Sequence, residues 1–509
     1  MVRPQEDVEK ALSKPASVPG FAPMEFTPEL KAGFVVTLSS HDCGLSIPSS
    51  SSSSSSTTSS QSMRSENFEK DLSPALPEKR GSRMSRYLFY NFFSVYRVLF
   101  AIIFMGNLGT FIGFVVKTKG APNMTDVGNA TSANLMVSIL FRQEHFVNLL
   151  YEIFTCAPLS APLVVRRALT KVFHYGGVHS GCGVAATVWY LLFVAIGTKD
   201  FVQHPSPGTV ANLITSYILI TMLLGILLGA HPRFRSMFHD HFEVTHRFAG
   251  WTALVVFWVH TFLAAEETRK AASESLGLSL VKSPGFWFLV VSTICILGSW
   301  TPTKQREVIP ERLSDHAIRL RFNYRRMKPF CGVRVSDSPL TEWHAFATIP
   351  DNDAKGYSIV VSNAGDWTNR TIMNPPKKLY IRGSPLRNLL YGSRLFQRIV
   401  VVATGSGIGP CLSLMYADIT PKRIFWSTAN PEVTYGQGIM DTVRRSDRNA
   451  VIWDTRKQGR PDMVAVTHQL YVEFQAEAVF IISNPKVTRK VVYGLESRGI
   501  ACYGAIFDS

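Results

Sequence analysis

Between residues 93 and 302 the chain returns again and again to long apolar runs, and from 303 to 509 it reads as an ordinary soluble α/β sequence. Crossing about 30 Å of hydrocarbon takes roughly 20 apolar residues in a helix, because only a helix or a closed barrel satisfies its own backbone there. Six spans are expected on that criterion, near 93–116, 135–157, 177–197, 210–230, 244–265 and 285–302. The second is the weakest, since Arg142, Gln143, Glu144 and His145 interrupt it; lying in the interface instead, it would change the number of crossings.

Charge gives the bundle an orientation. Lys79, Arg80, Arg83 and Arg86 precede the first span, Arg166, Arg167 and Lys171 separate the second from the third, and Arg233 and Arg235 the fourth from the fifth. With Lys304 and Arg306 after the sixth, all these loops fall on one face, so both termini are expected in the cytosol. Arg269 and Lys270 run against the rule, beside Glu266 and Glu267. The first outer loop carries two N-glycosylation sequons, at Asn123 and Asn129. The plasma membrane is expected ahead of the endoplasmic reticulum. A net charge of +16 raises the question of nucleic acid, but no such motif accompanies it, and basic residues beside a lipid bilayer account for it.

Seven cysteines without a single Cys-x-x-Cys pair argue against a disulfide framework, a zinc site or an iron–sulfur cluster. Residues 1–84, with the serine run from Ser49 to Ser56, hold too little periodic apolar sequence for a core and are expected to form a disordered cytosolic tail. No apolar core follows a basic start, so no cleaved leader is expected.

Within the bundle, His246 and His260 stand 14 residues apart, close to four turns, on one helix face and about 21 Å from each other. That spacing suits two haems stacked across a bilayer, but a haem needs a second axial ligand. The third span offers His174 and His179 near its cytosolic end, whereas Leu192 and Phe193 occupy the positions where an outer partner for His260 belongs. Three readings stay open: two haems with an unusual outer ligand, one inner haem between His179 and His246, or histidines hydrogen-bonded without metal.

The soluble half divides in two. Residues 304–395 read as short strands between Gly, Pro and Asp turns, a small antiparallel barrel. In it stand Pro339-Leu-Thr-Glu-Trp343-His344-Ala-Phe346-Ala-Thr348, Gly365-Asp-Trp367-Thr368 and Arg382-Gly383-Ser-Pro385, an order of aromatic, basic and glycine residues that can grip a flavin and its phosphates, or equally form core and turns. Residues 396–509 open with a basic-then-apolar strand that runs into Gly405-Ser-Gly407-Ile-Gly409-Pro410 and a helical segment. Glycines there let the backbone approach a pyrophosphate at a helix N-terminus. Strand-like runs at 424–427, 450–453, 479–482 and 500–503 alternate with helical ones, which makes a doubly wound sheet and a nucleotide site.

These motifs together resemble the ferric reductase and NADPH oxidase superfamily over residues 85–509, with a six-helix transmembrane domain at 85–303, a ferredoxin-reductase-type FAD barrel at 304–395 and an NAD(P)-binding domain at 396–509. The ending Tyr503-Gly-Ala-Ile-Phe507-Asp-Ser509 is similar to fungal TmpA-type membrane flavoproteins, related to the C-terminal region of adenylate-forming reductases. The resemblance implies FAD held by Trp343, His344, Phe346, Thr348, Gly365, Trp367, Thr368, Arg382 and Gly383, and NAD(P)H over Gly405, Gly407, Gly409 and Pro410. It implies haem at His179, His246 and His260. It puts Phe507 on the flavin and Ser483 where the family's nicotinamide-side cysteine stands.

The match is uneven. His344-Ala-Phe-Ala replaces the family's His-Pro-Phe-Ser/Thr, so the hydroxyl near the flavin is missing; Ser483-Asn-Pro replaces Cys-Gly-Pro; one histidine pair is complete instead of two. Cofactor binding is therefore expected to survive better than transmembrane electron transfer. The expected activity is an NAD(P)H-dependent FAD oxidoreductase passing electrons to a small-molecule acceptor. The alternatives are a weakly active membrane sensor or regulatory protein, in fungal development or secondary metabolism, that keeps the reductase scaffold, and a role within a secondary-metabolite pathway, in which any activated acyl substrate comes from a partner enzyme.

Overall fold

A computed structural model describes residues 76–351 and 356–505. The serine run and Phe507 lie outside the described residues. The helical half comprises α1 (Val95–Lys117), α2 (Met124–Leu140), α3 (Glu144–Phe154), α4 (Leu163–Leu169), α5 (Gly176–Gln203), α6 (Pro207–Gly229), α7 (His239–Ala272), α8 (Leu276–Lys282) and α9 (Pro284–Trp300). Four of these, α1, α5, α6 and α7, are long and apolar enough to cross a membrane; α8 and α9 together form a fifth candidate, bent by 80°. Among the described residues six straight crossings are therefore not confirmed.

The expected second span accounts for the difference. Phe141, Arg142 and Gln143 break it into α2 and α3, and Gln143 caps α3 by accepting from the Phe146 amide at 2.9 Å. At 17 residues α2 stays among α5 and α9. Helix α3 leaves them: Glu144, Val147 and Tyr151, at i, i+3 and i+7, bury one face against the barrel, and Val147 and Tyr151 join its core. Val147 and Tyr151, which looked like part of a lipid-facing surface, instead meet protein, while Leu149 and Ile153 on the same helix stay exposed. Asn148 fixes the docking by donating to the Pro385 carbonyl and accepting from the Arg387 amide, both at 2.8 Å.

The barrel begins directly after α9. Strands β1 (Lys304–Glu307), β2 (Ile309–Arg312), β3 (Ala317–Phe322), β4 (Cys331–Ser336), β5 (His344–Ala347), β6 (Ile349–Pro350) and β7 (Tyr357–Ser362) precede α10 (Asp366–Met373) and β8 (Lys378–Arg387). They form two antiparallel sheets, ordered β1-β8-β4-β5 and β2-β3-β7-β6, around a core that includes Val335, Phe346, Ile359 and Leu379. The last domain runs β9 (Ile399–Thr404), α11 (Ile408–Ala417), β10 (Lys422–Thr428), β11 (Val451–Asp454), α12 (Met463–Glu473), β12 (Ala478–Ile482), α13 (Pro485–Glu496) and β13 (Cys502–Gly504). Its strands are all parallel in the order β11-β10-β9-β12-β13, the doubly wound arrangement expected from the alternation of apolar runs.

The tail expectation needs a second correction. Residues 76–84 are not detached: the Arg80 amide donates to the Ser497 carbonyl at 2.7 Å, Arg498 Nε donates to the Pro77 carbonyl at 2.7 Å, and the Lys79 ammonium lies 4.8 Å from the Tyr493 ring centre. This stretch is strapped across the C-terminal end of α13.

Candidate functional site

The strand order reverses between β9 and β12, and the crevice at such a switch point is where open parallel sheets take ligands. Two helices, α11 and α13, start there, so their N-terminal turns flank the opening. Gly405 adopts φ +50°, a left-handed conformation that side chains rarely accept, and Trp426 Nε1 donates to its carbonyl at 3.0 Å. Gly407 is glycine for another reason: a Cβ on it would lie 2.1 Å from the Ile482 carbonyl oxygen of β12. Gly409 and Pro410 sit inside the buried first turn of α11. Ser483 is buried beside them, its hydroxyl 2.5 Å from that of Thr404. Sequence reasoning missed Thr404.

A seam joins this crevice to the barrel. Tyr435, buried in the short helix Pro431–Tyr435, has its hydroxyl 3.9 Å from where a Cβ on Gly405 would stand and meets the barrel's His316 edge-on at 6.4 Å, while the Ser314 hydroxyl donates to the neighbouring Thr434 carbonyl at 2.8 Å. Three residues after Ser362, the end of β7, Gly365 opens α10. There the Thr368 hydroxyl accepts from the Ala364 amide and donates to the Gly365 carbonyl, each at 2.8 Å. Nothing in the sequence singled out Tyr435.

The expected flavin residues assemble only in part. Trp367 stacks on His344 with ring centres 4.1 Å apart and leans on Phe346 at 5.8 Å. Burial pushes the His344 imidazole below its ordinary pKa, opposed by Glu342, whose Oε2 is 3.1 Å from Nε2. Phe346 is wholly covered and so is Thr348, whose hydroxyl donates to the Cys331 carbonyl at 3.0 Å. Neither can touch a cofactor here, which corrects both expectations: the protein's own indole and main chain use those faces.

Arg382 and Gly383, neighbours on β8, have different surroundings. Arg382 spreads its guanidinium over Trp300 at 4.2 Å and Trp343 at 4.8 Å, with its Nε buried and unpartnered among the described residues. Burial, with repulsion from Arg334, draws its pKa down to about 9. An under-neutralised guanidinium between two indoles suits an anionic group such as a phosphate. Trp300 also meets Trp251 of α7 edge-on at 4.8 Å, and Trp343 meets Trp300 at 6.1 Å, so three tryptophans link α7 to the barrel. Gly383, at φ +68°, packs against Glu144: a Cβ there would be 2.7 Å from Glu144 Oε1. Glu144 is itself held by Arg334 at 2.8 Å and Ser299 at 2.6 Å.

In the bundle, His179 and His246 face each other with ring centres 6.4 Å apart. Two metal–imidazole bonds of about 2 Å each, plus roughly 1 Å from nitrogen to ring centre on either side, give about 6 Å, so the pair fits an axial ligand pair. His179 Nδ1 lies 2.9 Å from the Ser138 carbonyl, a contact that would fix the tautomer and leave Nε2 for a metal. His260 has no such partner: Phe193 faces it edge-on at 5.5 Å, and Thr215 Oγ1 lies 2.9 Å from its Nδ1. Among the described residues His179 and His246 thus form a facing pair, and His260 falls outside it. Of the sequons, Asn123 is exposed and caps α2, while Asn129 Oδ1 accepts from the Gly285 amide at 3.1 Å and so braces α9. A glycan on Asn129 would break that contact.

Fold and site define a two-domain unit, an antiparallel barrel followed by a doubly wound parallel sheet, carried on apolar helices. Residues 389–509 match the family described as the C-terminal domain of adenylate-forming reductase 03009. Over 433 residues the chain is 43% identical to adenylate-forming reductase 03009 of Coprinopsis cinerea, covering 85% of this chain and 42% of that protein. Over 440 residues it is 42% identical to adenylate-forming reductase 06235 of the same fungus, covering 86% and 42%. The relation to adenylate-forming reductases expected from the C-terminal sequence is thus supported, and the chain spans less than half the length of these relatives. Among solved structures, it is similar to a ferredoxin NADP+ reductase from Neisseria gonorrhoeae with bound FAD and NADP, at 14% identity and TM-score 0.34, covering 40% of this chain and 99% of that one. A siderophore utilization protein from T. fusca aligns at 12% identity and TM-score 0.29, covering 40% and 90%.

Proposed function

We propose that the chain is a membrane-embedded NAD(P)H-dependent FAD oxidoreductase, of the kind gathered in the ferric reductase superfamily, that passes electrons to a small-molecule acceptor. The observation that carries this reading is the seam at Tyr435, which stands between the Gly405 loop of the sheet and His316 of the barrel. Hydride transfer needs a donor and an acceptor held against each other, and a barrel and a switch-point crevice that share one buried side chain supply that geometry. The names of the curated relatives and the FAD and NADP of the Neisseria structure agree with it.

Flavin, when bound, accepts a hydride and releases electrons singly. The chain's residues do the remainder: Gly405 and the α11 N-terminus hold a pyrophosphate, Arg382 neutralises phosphate charge, and Trp343, His344 and Trp367 exclude water. His179 and His246 would hold one haem, which supplies one-electron chemistry inside the bundle. The apolar helices are compatible with a bilayer, and the plasma membrane is the proposed location.

One observation favours a second reading, a regulatory protein with little turnover: the face of Phe346 is closed by Trp367, and Ala347 brings no hydroxyl to it. An absorbance spectrum of the full chain purified in detergent separates the two. Flavin bands that bleach on adding NADPH or NADH, with one Soret band, are the expected outcome; a colourless protein that stays colourless after reconstitution with FAD would sink the oxidoreductase reading.

A further inference from the structure

We propose that a cavity at the junction of α9 and the barrel binds the phosphate headgroup of an anionic lipid. The cavity, about 520 Å³, is lined by Thr301 and Pro302 after α9, by Lys304 and Arg306 of β1, by Tyr324 and Arg325 after β3, and by β8. That volume lies in the range of small-ligand sites. Lys304 and Arg306 alternate along β1 and so share a face. Arg306 lies over the Tyr324 ring at 4.2 Å, which fixes a side chain that would otherwise sample many rotamers.

Three cations line this cavity and no carboxylate does. None of the three has an ion-pair partner among the described residues, although most other arginines of the barrel do: Arg312, Arg319, Arg321, Arg334 and Arg387 are each paired. Glu144 lies behind Gly383, but Arg334 and Ser299 already hold it. Converging unpaired cations at a cavity mouth favour an anion from outside the chain.

Position identifies its source. The lining begins at Thr301, one residue past the end of α9, and the polar headgroup layer of a bilayer is roughly 5–8 Å deep on each side. Residues 301–304 therefore stand at headgroup depth, where basic pockets recruit anionic lipids. This inference rests on the membrane reading of α9 but not on flavin or nucleotide chemistry. Gly383 and Ile381 line the cavity, whereas Arg382 lies over Trp300 and Trp343, none of which lines it, so the cavity is separate from the proposed flavin cradle.

The test uses the full chain in neutral detergent, titrated with mixed micelles of phosphatidylinositol 4-phosphate, with phosphatidylcholine micelles and with inorganic phosphate, while thermal unfolding and flavin absorbance are followed together. The phosphoinositide should raise Tm in a saturable way and phosphatidylcholine should not. In the triple variant Lys304→Gln/Arg306→Gln/Arg325→Gln the affinity should fall about a hundredfold, at roughly 1 kcal/mol per cation and 1.4 kcal/mol per power of ten. Lys378→Gln, an exposed cation elsewhere on β8, should leave it unchanged, and Lys304→Gln alone serves if the triple variant does not fold. Equal affinity of wild type and variant overturns the proposal. A response to inorganic phosphate but not to the lipid overturns the lipid assignment in favour of a soluble phosphate. Flavin absorbance that is absent in every sample counts against the oxidoreductase reading and leaves this test intact.

Discussion

Arg166 of α4 offers the sharpest check on how the helical half grips the nucleotide domain. Its Nη1 and Nη2 reach Glu477 at 2.8 and 2.9 Å, Nη1 also donates to the Leu395 carbonyl at 2.8 Å, and Nε donates to the Ala161 carbonyl at 2.9 Å. The guanidinium is 4% exposed as part of its residue, so this is a buried bidentate pair across domains. Removing one partner of such a pair costs about 3–5 kcal/mol. Because the Gln397 amide still donates to Glu477 at 2.7 Å, the lower end applies, about 3 kcal/mol or two powers of ten in the docking equilibrium. Arg167, donating to the Glu477 carbonyl at 2.9 Å, keeps the variant from separating completely. In the Arg166→Met protein, amide hydrogen exchange over 163–169 and 477–480 should accelerate by about a hundredfold. The pH dependence follows from Glu477, whose carboxyl is held below the usual range chiefly by the Arg166 hydrogen bond. A depressed carboxylate contributes fully above its unfolded value near 4.3 and loses the contribution as pH falls through the folded value. Docking should therefore be flat between pH 6 and 8, loosen in acid, and lose that acid dependence in Glu477→Gln. Exchange in Arg166→Met within threefold of wild type would refute the reasoning.

Three other outcomes are expected. Gly407→Ala should fail to fold, since its Cβ would meet the Ile482 carbonyl, whereas Gly405→Ala should fold with about 1–2 kcal/mol of strain and lose NAD(P)H-driven flavin reduction in stopped-flow; the opposite order would contradict the crevice geometry. His179→Ala and His246→Ala should each remove the Soret band, while His260→Ala, facing Phe193, keeps it; a Soret band that depends on His260 would call for a second haem. Arg382→Gln should lower FAD retention on gel filtration, and Arg382→Lys should not restore it, because an ammonium cannot lie flat between Trp300 and Trp343.

What could be read in advance was whatever depends on local pattern. The parallel strands announced themselves as apolar runs at Ile399–Thr404 and Ala478–Ile482, and the glycine loop needed only its position between strand and helix. The fate of residues 135–157 could not be read the same way. Val147 and Tyr151 are apolar whether lipid or protein covers them, and only the partner surface, here β8 and its core, decides. Glu144 was visible as an interruption but not as a group clasped by Arg334, 190 positions further on. The same limit applies to Phe346 and Thr348, whose residue types match a cofactor motif while their burial excludes contact. Tyr435 escaped because a lone tyrosine in a short helix carries no pattern at all.

The indoles of Trp251, Trp300 and Trp343 run from α7 to the edge of the barrel, with Arg382 over two of them and Arg247 within 5.7 Å of Trp300. A positive charge on an aromatic face lowers the energy of the ring's electrons, so each guarded indole becomes harder to oxidise. The same field stabilises added negative charge. Between them the two guanidiniums act on Trp300 and Trp343, so these two indoles, rather than Trp251 inside the bundle, are the ones made harder to oxidise.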